Sequence, residues 1–235
     1  MYKIISLDLP FLDGEQFLQL KSEHQVVGVI GKLRDYTQEL YATELSQLER
    51  AVEKRRIEYA AGRHFARIAL RAIGYPAYPI MTGKFRQPLW PEGIVGSITH
   101  SQTLAMSVVA RYNEPFRSIG IDAEVEDSVS SDLVDILLTE RELAELPRGR
   151  TCSARDLTLI FSAKEAVFKA VNPITNLMID FSEIEIGVDF SARTWHATYV
   201  GSNKRNEIMN NGVGGYSLFE GHFVSFFGIP RVSTS

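Results

Sequence analysis

The 235 residues include a single cysteine, Cys152. That excludes an internal disulfide and a zinc site built on repeated thiolates, and it fits a reducing compartment. No apolar run approaches the roughly 20 residues needed to span a bilayer. The segment Met1 to Pro10 is apolar but interrupted by Asp8 and Pro10, too short and broken for a signal-peptide core. A cytoplasmic protein without stable membrane insertion is expected. An excess of basic charge is lacking as well: 25 Lys and Arg stand against 29 Asp and Glu, a net charge of −4. No global field draws nucleic acid, so a polyanionic ligand needs a local cluster of cations. Low-complexity segments and short-period repeats are also absent.

Hydrophobic residues make up 45% and charged residues 23% of the chain. This is the composition of a globular protein, long enough for one large domain or two small ones sharing an interface. Leu40, Leu45, Leu48, Val52, Tyr59, Phe65 and Ile68 recur at helical spacing and predict a helical region over 37–72, stopped by Gly74 and Pro76. Residues 79–96, rich in Gly, Pro and aromatics, read as an ordered loop. Strands are expected at 94–98, 104–110 and 118–124, helices at about 131–146 and 155–171, and strand-like runs at 183–190, 194–200 and 215–229. The halves are alike, helices followed by a small sheet. This suggests two α+β lobes, 1–114 and 115–235, meeting near 112–118.

Four segments could carry chemistry. In Gly120-Ile121-Asp122-Ala123-Glu124 an extended strand puts Asp122 and Glu124 on one face, where the two carboxylates repel. A hard divalent cation such as Mg²⁺ relieves that repulsion; the bland alternative is a solvated strand face. In Phe161-Ser162-Ala163-Lys164-Glu165-Ala166-Val167-Phe168-Lys169-Ala170 a hydrophobic helix carries Lys164, Glu165 and Lys169. Glu165 and Lys169 are either an ordinary i,i+4 pair or, with Lys164, the lining of a cleft. Gly96-Ser97-Ile98-Thr99-His100-Ser101 sets a histidine at a strand end, structural or able to meet a phosphate. In Gly83-Lys84-Phe85-Arg86-Gln87-Pro88-Leu89-Trp90-Pro91, Arg86 stands on a proline-stiffened loop suited to gripping phosphate. Upstream, Lys54, Arg55, Arg56, Arg63 and Arg67 give a helix a cationic side, interleaved with glutamates.

Taken in order with Arg56-Ile57-Glu58-Tyr59-Ala60-Ala61-Gly62-Arg63, these segments resemble the Sfp-type 4'-phosphopantetheinyl transferases, and within them the group typified by enterobactin synthase component D. The match covers about residues 54–171. The resemblance implies a monomer of two pseudo-symmetric α+β lobes, each a small, mainly antiparallel sheet packed with helices, with coenzyme A in the cleft between them. It implies that Asp122, Glu124 and Glu165 hold Mg²⁺ or Mn²⁺ against the pyrophosphate. Lys169 and Lys164 would face the phosphates, while Thr99, His100, Arg86, Lys84, Arg56 and Arg63 would bind coenzyme A. Gln87 departs from the family, in which a lysine often stands at that place, so basic contacts in the loop pass to Arg86 or Lys84.

The reaction so implied moves phosphopantetheine from coenzyme A to a serine of an apo carrier protein of nonribosomal peptide, polyketide or fatty-acid synthesis, as in siderophore production. Glu165 serves as general base, directly or through water, and Lys169 stabilises the phosphoryl oxygens. The segment 125–155, with Leu137, Leu138 and Leu143, is either a carrier-docking patch or core. The residues alone also admit a metal-dependent phosphoesterase or nuclease, or a non-catalytic module that binds coenzyme A or carriers.

Overall fold

A computed structural model describes residues 3–6, 26–112, 115–145 and 153–231. Cys152 lies outside them, as does most of the segment read against a signal peptide. Eleven strands and five α-helices are assigned within the described residues. Four strands, β1 (Lys3–Ser6), β2 (Val27–Lys32), β5 (Ile94–His100) and β6 (Leu104–Arg111), form an antiparallel sheet in the order β1-β2-β6-β5. A second antiparallel sheet, β7-β11-β10-β9-β8, comprises β7 (Phe116–Val125), β8 (Ile184–Asp189), β9 (Thr194–Tyr199), β10 (Val213–Phe219) and β11 (His222–Pro230).

The two sheets face each other across a shared core. Ile30, Met106 and Val108 from the first meet Phe116, Ile121 and Phe226 from the second. Each outer face is covered by a long helix. α2 (Glu53–Ala72) packs Phe65, Ala69 and Leu70 on Val29 and Val109, and α5 (Ala154–Thr175) lays Ala163, Val167 and Ala170 near Phe223 and Phe227. The strands β2, β6, β7 and β11 are buried along nearly their whole length, because one face meets the other sheet and the other meets a helix.

The structure breaks the helical region expected over 37–72. After a 3₁₀ turn at Thr37–Glu39 comes the short α1 (Ala42–Ser46), and α2 begins only at Glu53. The cause is Glu44. Its buried carboxylate caps α1 by accepting from Tyr41 N at 2.9 Å, and it also accepts from Arg67 Nη1 at 3.0 Å and Ile80 N at 2.9 Å. The region expected helical over 131–146 is likewise split into Ser131–Leu133, α3 (Val134–Leu137) and α4 (Glu140–Glu145). The run at 215–229 is a hairpin rather than one strand. Glu220 and Gly221, with φ of 46° and 74°, make the two-residue turn. The loop over 79–96 contains a small hairpin of β3 (Met81–Thr82) and β4 (Pro88–Leu89).

Of the two alternatives for this segment, Leu137 and Leu138 take the core one, buried under α5; Leu143 is exposed. Their neighbours Leu133 and Ile136 face outward instead, Ile136 with 65% of its surface accessible. Among the described residues no helix is long and apolar enough to cross a membrane.

Candidate active site

The carboxylates converge because β7 and α5 pack closely. Gly120 makes the approach possible, since a Cβ there would overlap the Ala166 carbonyl oxygen. Ser118 Oγ donates to Ala170 O at 2.6 Å and locks the register of strand on helix. Asp122, two residues beyond Gly120 on the same face, therefore meets the side chains of α5. Its Oδ1 accepts from Lys169 Nζ at 2.6 Å and from Thr99 Oγ1 at 3.0 Å, bringing in β5 of the other sheet. Lys169 Nζ also donates to Thr99 Oγ1 at 3.3 Å and lies 3.8 Å from Glu165 Oε2. A second tie crosses the sheets: Ile121 N donates to Ser97 Oγ at 3.1 Å.

The electrostatics show crowded negative charge. Burial, then the Asp122 and Glu165 carboxylates, push Glu124 up to about 7 against the pull of Lys169 and a Ser128 hydrogen bond. Burial and Asp122 likewise raise Glu165, opposed by Lys169. Burial works against the Lys169 ammonium, but Asp122, Glu165 and Glu124 outweigh it and hold its pKa above the usual lysine value. Among the described residues no three His, Cys, Asp or Glu side chains stand together as a ready metal cage. The donor set still fits a hard cation, because Oδ2 of Asp122 is buried and has no hydrogen-bond partner among the described residues. An orphaned carboxylate oxygen beside two carboxylates of raised pKa is relieved by positive charge.

His100 ends β5 beside α2. Its Nε2 is 3.4 Å from Arg55 Nη1 and 3.6 Å from Glu58 Oε2. Burial lowers its pKa, aided by Arg55 and Lys169 and opposed by Glu58 and Asp122. Arg55 is the cation that the sequence reading passed over as a site residue. The available signal was its i,i+3 relation to Glu58, one position ahead of the motif that begins at Arg56.

Three residues named from the sequence are placed elsewhere. Arg63 is buried: Nε donates to Ile80 O at 3.2 Å, Nη2 to Thr82 Oγ1 at 3.0 Å, and its guanidinium sits 3.6 Å over the Tyr59 ring. Burial brings its pKa down to about 10. Arg56 donates to Ala51 O and Glu49 O and lines a separate groove of about 460 Å³ with Asp35 and Glu53. Lys164 is fully buried, and its Nζ donates to Leu137 O at 2.6 Å, Glu142 Oε2 at 2.7 Å and Phe181 O at 3.0 Å. In this structure all three hold neighbouring segments through these bonds. For Lys164 the physical reason is helical phase: it points into the core beneath α5, while Lys169 points toward β5.

Arg86 has φ of 65° in the β3–β4 turn and lines a cavity of about 930 Å³. Lys84 stands over the Phe85 ring at 5.6 Å. Gln87 braces this turn, its Oε1 accepting from Phe85 N at 2.9 Å. The cavity runs between β5 and the C-terminal half of α5, with Trp90, Tyr112, Phe168 and Met178 among its apolar walls, and Lys169 joins it to the carboxylates. These aromatic walls were not legible as a site, because each belongs to a different element.

An antiparallel two-sheet fold with an acid cluster and a lysine beside an elongated cleft defines an enzyme site for a phosphate-bearing substrate. Residues 43–110 match the 4'-phosphopantetheinyl transferase N-terminal domain, and residues 118–215 match the 4'-phosphopantetheinyl transferase superfamily. The chain is 36% identical over 157 residues to the 4'-phosphopantetheinyl transferase PptT of Mycobacterium tuberculosis, covering 67% of this chain and 69% of that one. It is 36% identical over 174 residues to enterobactin synthase component D of Escherichia coli, 72% of this chain and 76% of the relative. A holo-ACP-synthase structure from Plasmodium yoelii overlays 48% of this chain and 94% of its own, at 19% identity and a TM-score of 0.39. The chain belongs to the 4'-phosphopantetheinyl transferase superfamily, a family of transferases that use coenzyme A.

Proposed function

We propose that this enzyme transfers the 4'-phosphopantetheine group of coenzyme A to a serine of an apo carrier protein and releases 3',5'-ADP. The proposed setting is the cytoplasm, acting as a monomer in siderophore or other nonribosomal peptide synthesis. Its lobes divide at residues 114 and 115, with the reaction in the cleft between them. The observation that supports this most is the meeting of Asp122 and Glu124 from β7, Glu165 and Lys169 from α5, and Thr99 and His100 from β5 at one end of the cavity.

Asp122, Glu124 and Glu165 would hold Mg²⁺, or Mn²⁺, which when bound supplies charge neutralisation to the diphosphate. Lys169 faces the nonbridging oxygens of the phosphorus under attack, where an ammonium matters most as charge builds. Arg55, His100 and Arg86 ring the remaining phosphates. The serine oxygen forms the new bond to the β-phosphorus, and the phosphoanhydride bond to 3',5'-ADP breaks. Glu165 takes the serine proton, directly or through a water that it orients while it holds the metal. Such chemistry rests on positioning rather than on covalent intermediates.

The test is the intact mass of apo carrier domains incubated with the enzyme, coenzyme A and Mg²⁺. A gain of one phosphopantetheine, lost in Glu165→Gln, is expected. No gain across peptidyl, polyketide and fatty-acid carriers would sink the reading.

A further inference from the structure

Asp122 has a neighbour that the acid cluster does not account for. On β11, Ser225 stands directly opposite Asp122 in the antiparallel register. Opposed residues in such a pair carry their side chains on the same face, with Cβ atoms about 5 Å apart. That face is turned to α5: Phe223 and Phe227, flanking Ser225 at the same period, pack in the core under that helix. Ser225 is fully buried, and among the described residues its hydroxyl makes no hydrogen bond. Oδ2 of Asp122, on the opposed residue, is buried and without a partner among the described residues as well.

Two buried, unpaired polar groups set side by side are costly as they stand, since each forgoes water without a partner in exchange. A serine at this place also gives up apolar packing that Val would supply against Phe223 and Phe227. The carboxylate oxygen has two acceptor sites, and one donor leaves the other free. At the roughly 5 Å Cβ separation of opposed residues, a hydroxyl and a carboxylate are near enough to meet by side-chain rotation.

We propose that Ser225 is a positioning residue for the cation site. Its hydroxyl donates to Oδ2 of Asp122 when the carboxylate turns toward a divalent cation, and fixes the plane in which the remaining lone pairs are offered. The inference rests on the metal assignment made above for Asp122, Glu124 and Glu165. It adds a residue 103 positions downstream, on another strand, that contacts neither substrate nor metal. Partners of this kind are worth about tenfold or more in metal affinity.

The experiment is Mn²⁺ binding to the free protein, without coenzyme A, followed by the electron paramagnetic resonance signal of the unbound ion, with thermal unfolding measured in parallel. Ser225→Ala is expected to bind Mn²⁺ about tenfold more weakly than wild type while its melting temperature holds or rises. Ser225→Cys, close in shape but a weak donor, should lose affinity in the same direction. Ser107→Ala is the control, because Ser107 is equally buried and unpaired but lies on β6 under α2; it should leave affinity unchanged. Equal affinity in wild type, Ser225→Ala and Ser225→Cys, with binding abolished in Asp122→Asn, would overturn the role of Ser225 and spare the metal assignment. Wild-type binding that Asp122→Asn does not weaken would overturn both.

Discussion

Lys164 and Lys169 sit five residues apart on α5, yet the fold gives them opposite surroundings. Lys164 has a carboxylate and two carbonyls around a fully buried ammonium, so its three protons are all used. Lys164→Met leaves Glu142 charged and buried, and it is expected to cost about 3–5 kcal/mol in urea unfolding. Adding Glu142→Gln should recover part of that loss. Lys169→Met should instead cut carrier modification by about a hundredfold or more, read as turnover at saturating coenzyme A. His100 supplies a pH test. Its folded pKa lies below 6.5, chiefly through burial, with Arg55 and Lys169 adding to the shift and Glu58 and Asp122 opposing it. The unfolded state therefore binds the proton first as pH falls. Stability contributed by the neutral ring is present above 6.5 and lost on acidification through the folded pKa. Chemical denaturation from pH 7.5 to 5.5 should show a steeper loss in wild type than in His100→Gln, and parallel curves would contradict it.

At the scale of elements, the long helix α5 and the strand β7 were legible from periodicity, and with them the facing of Asp122 and Glu124. The interruption of the region over 37–72 was not. Leu40, Leu45, Leu48 and Val52 keep helical spacing across the break, and only the buried Glu44 carboxylate, shared by Tyr41, Arg67 and Ile80, shows why the chain turns. Arg56 and Arg63 enter as ligands through the resemblance, and a motif names residues without showing what stands opposite each side chain in the fold. Gly120 carries the geometry of the site at this scale. Gly120→Ala must push β7 away from Ala166 and Ala170. It should destabilise the protein by about 1–3 kcal/mol, as overpacked cores do, and separate Asp122 from Lys169. A melting curve and a turnover assay would both fall; retention of both would mean that the contact is slack.

Across the whole molecule, the cavity is walled by β5 of one sheet and α5 of the other. A ligand that fills it should therefore tie both sheets together. Coenzyme A at a hundred times its dissociation constant is expected to add about 2.7 kcal/mol of stability. Amide exchange should slow in β5 and α5 alike. Slowing confined to one of them would place the ligand on a single sheet.

The chain alone determined the chemical inventory: which carboxylates share a strand face, which helix carries Glu165 and Lys169, and the order of motifs that marks the family. Local periodicity and residue type are sufficient for those, because they depend on backbone geometry repeated over a few residues. Tertiary structure decided which cations meet the acids and which are spent on holding loops. It also decided that Ser225 lies opposite Asp122. Those are contacts between residues dozens of positions apart, set by the pairing of strands and the phase of a helix against a sheet, and no short stretch of sequence contains them.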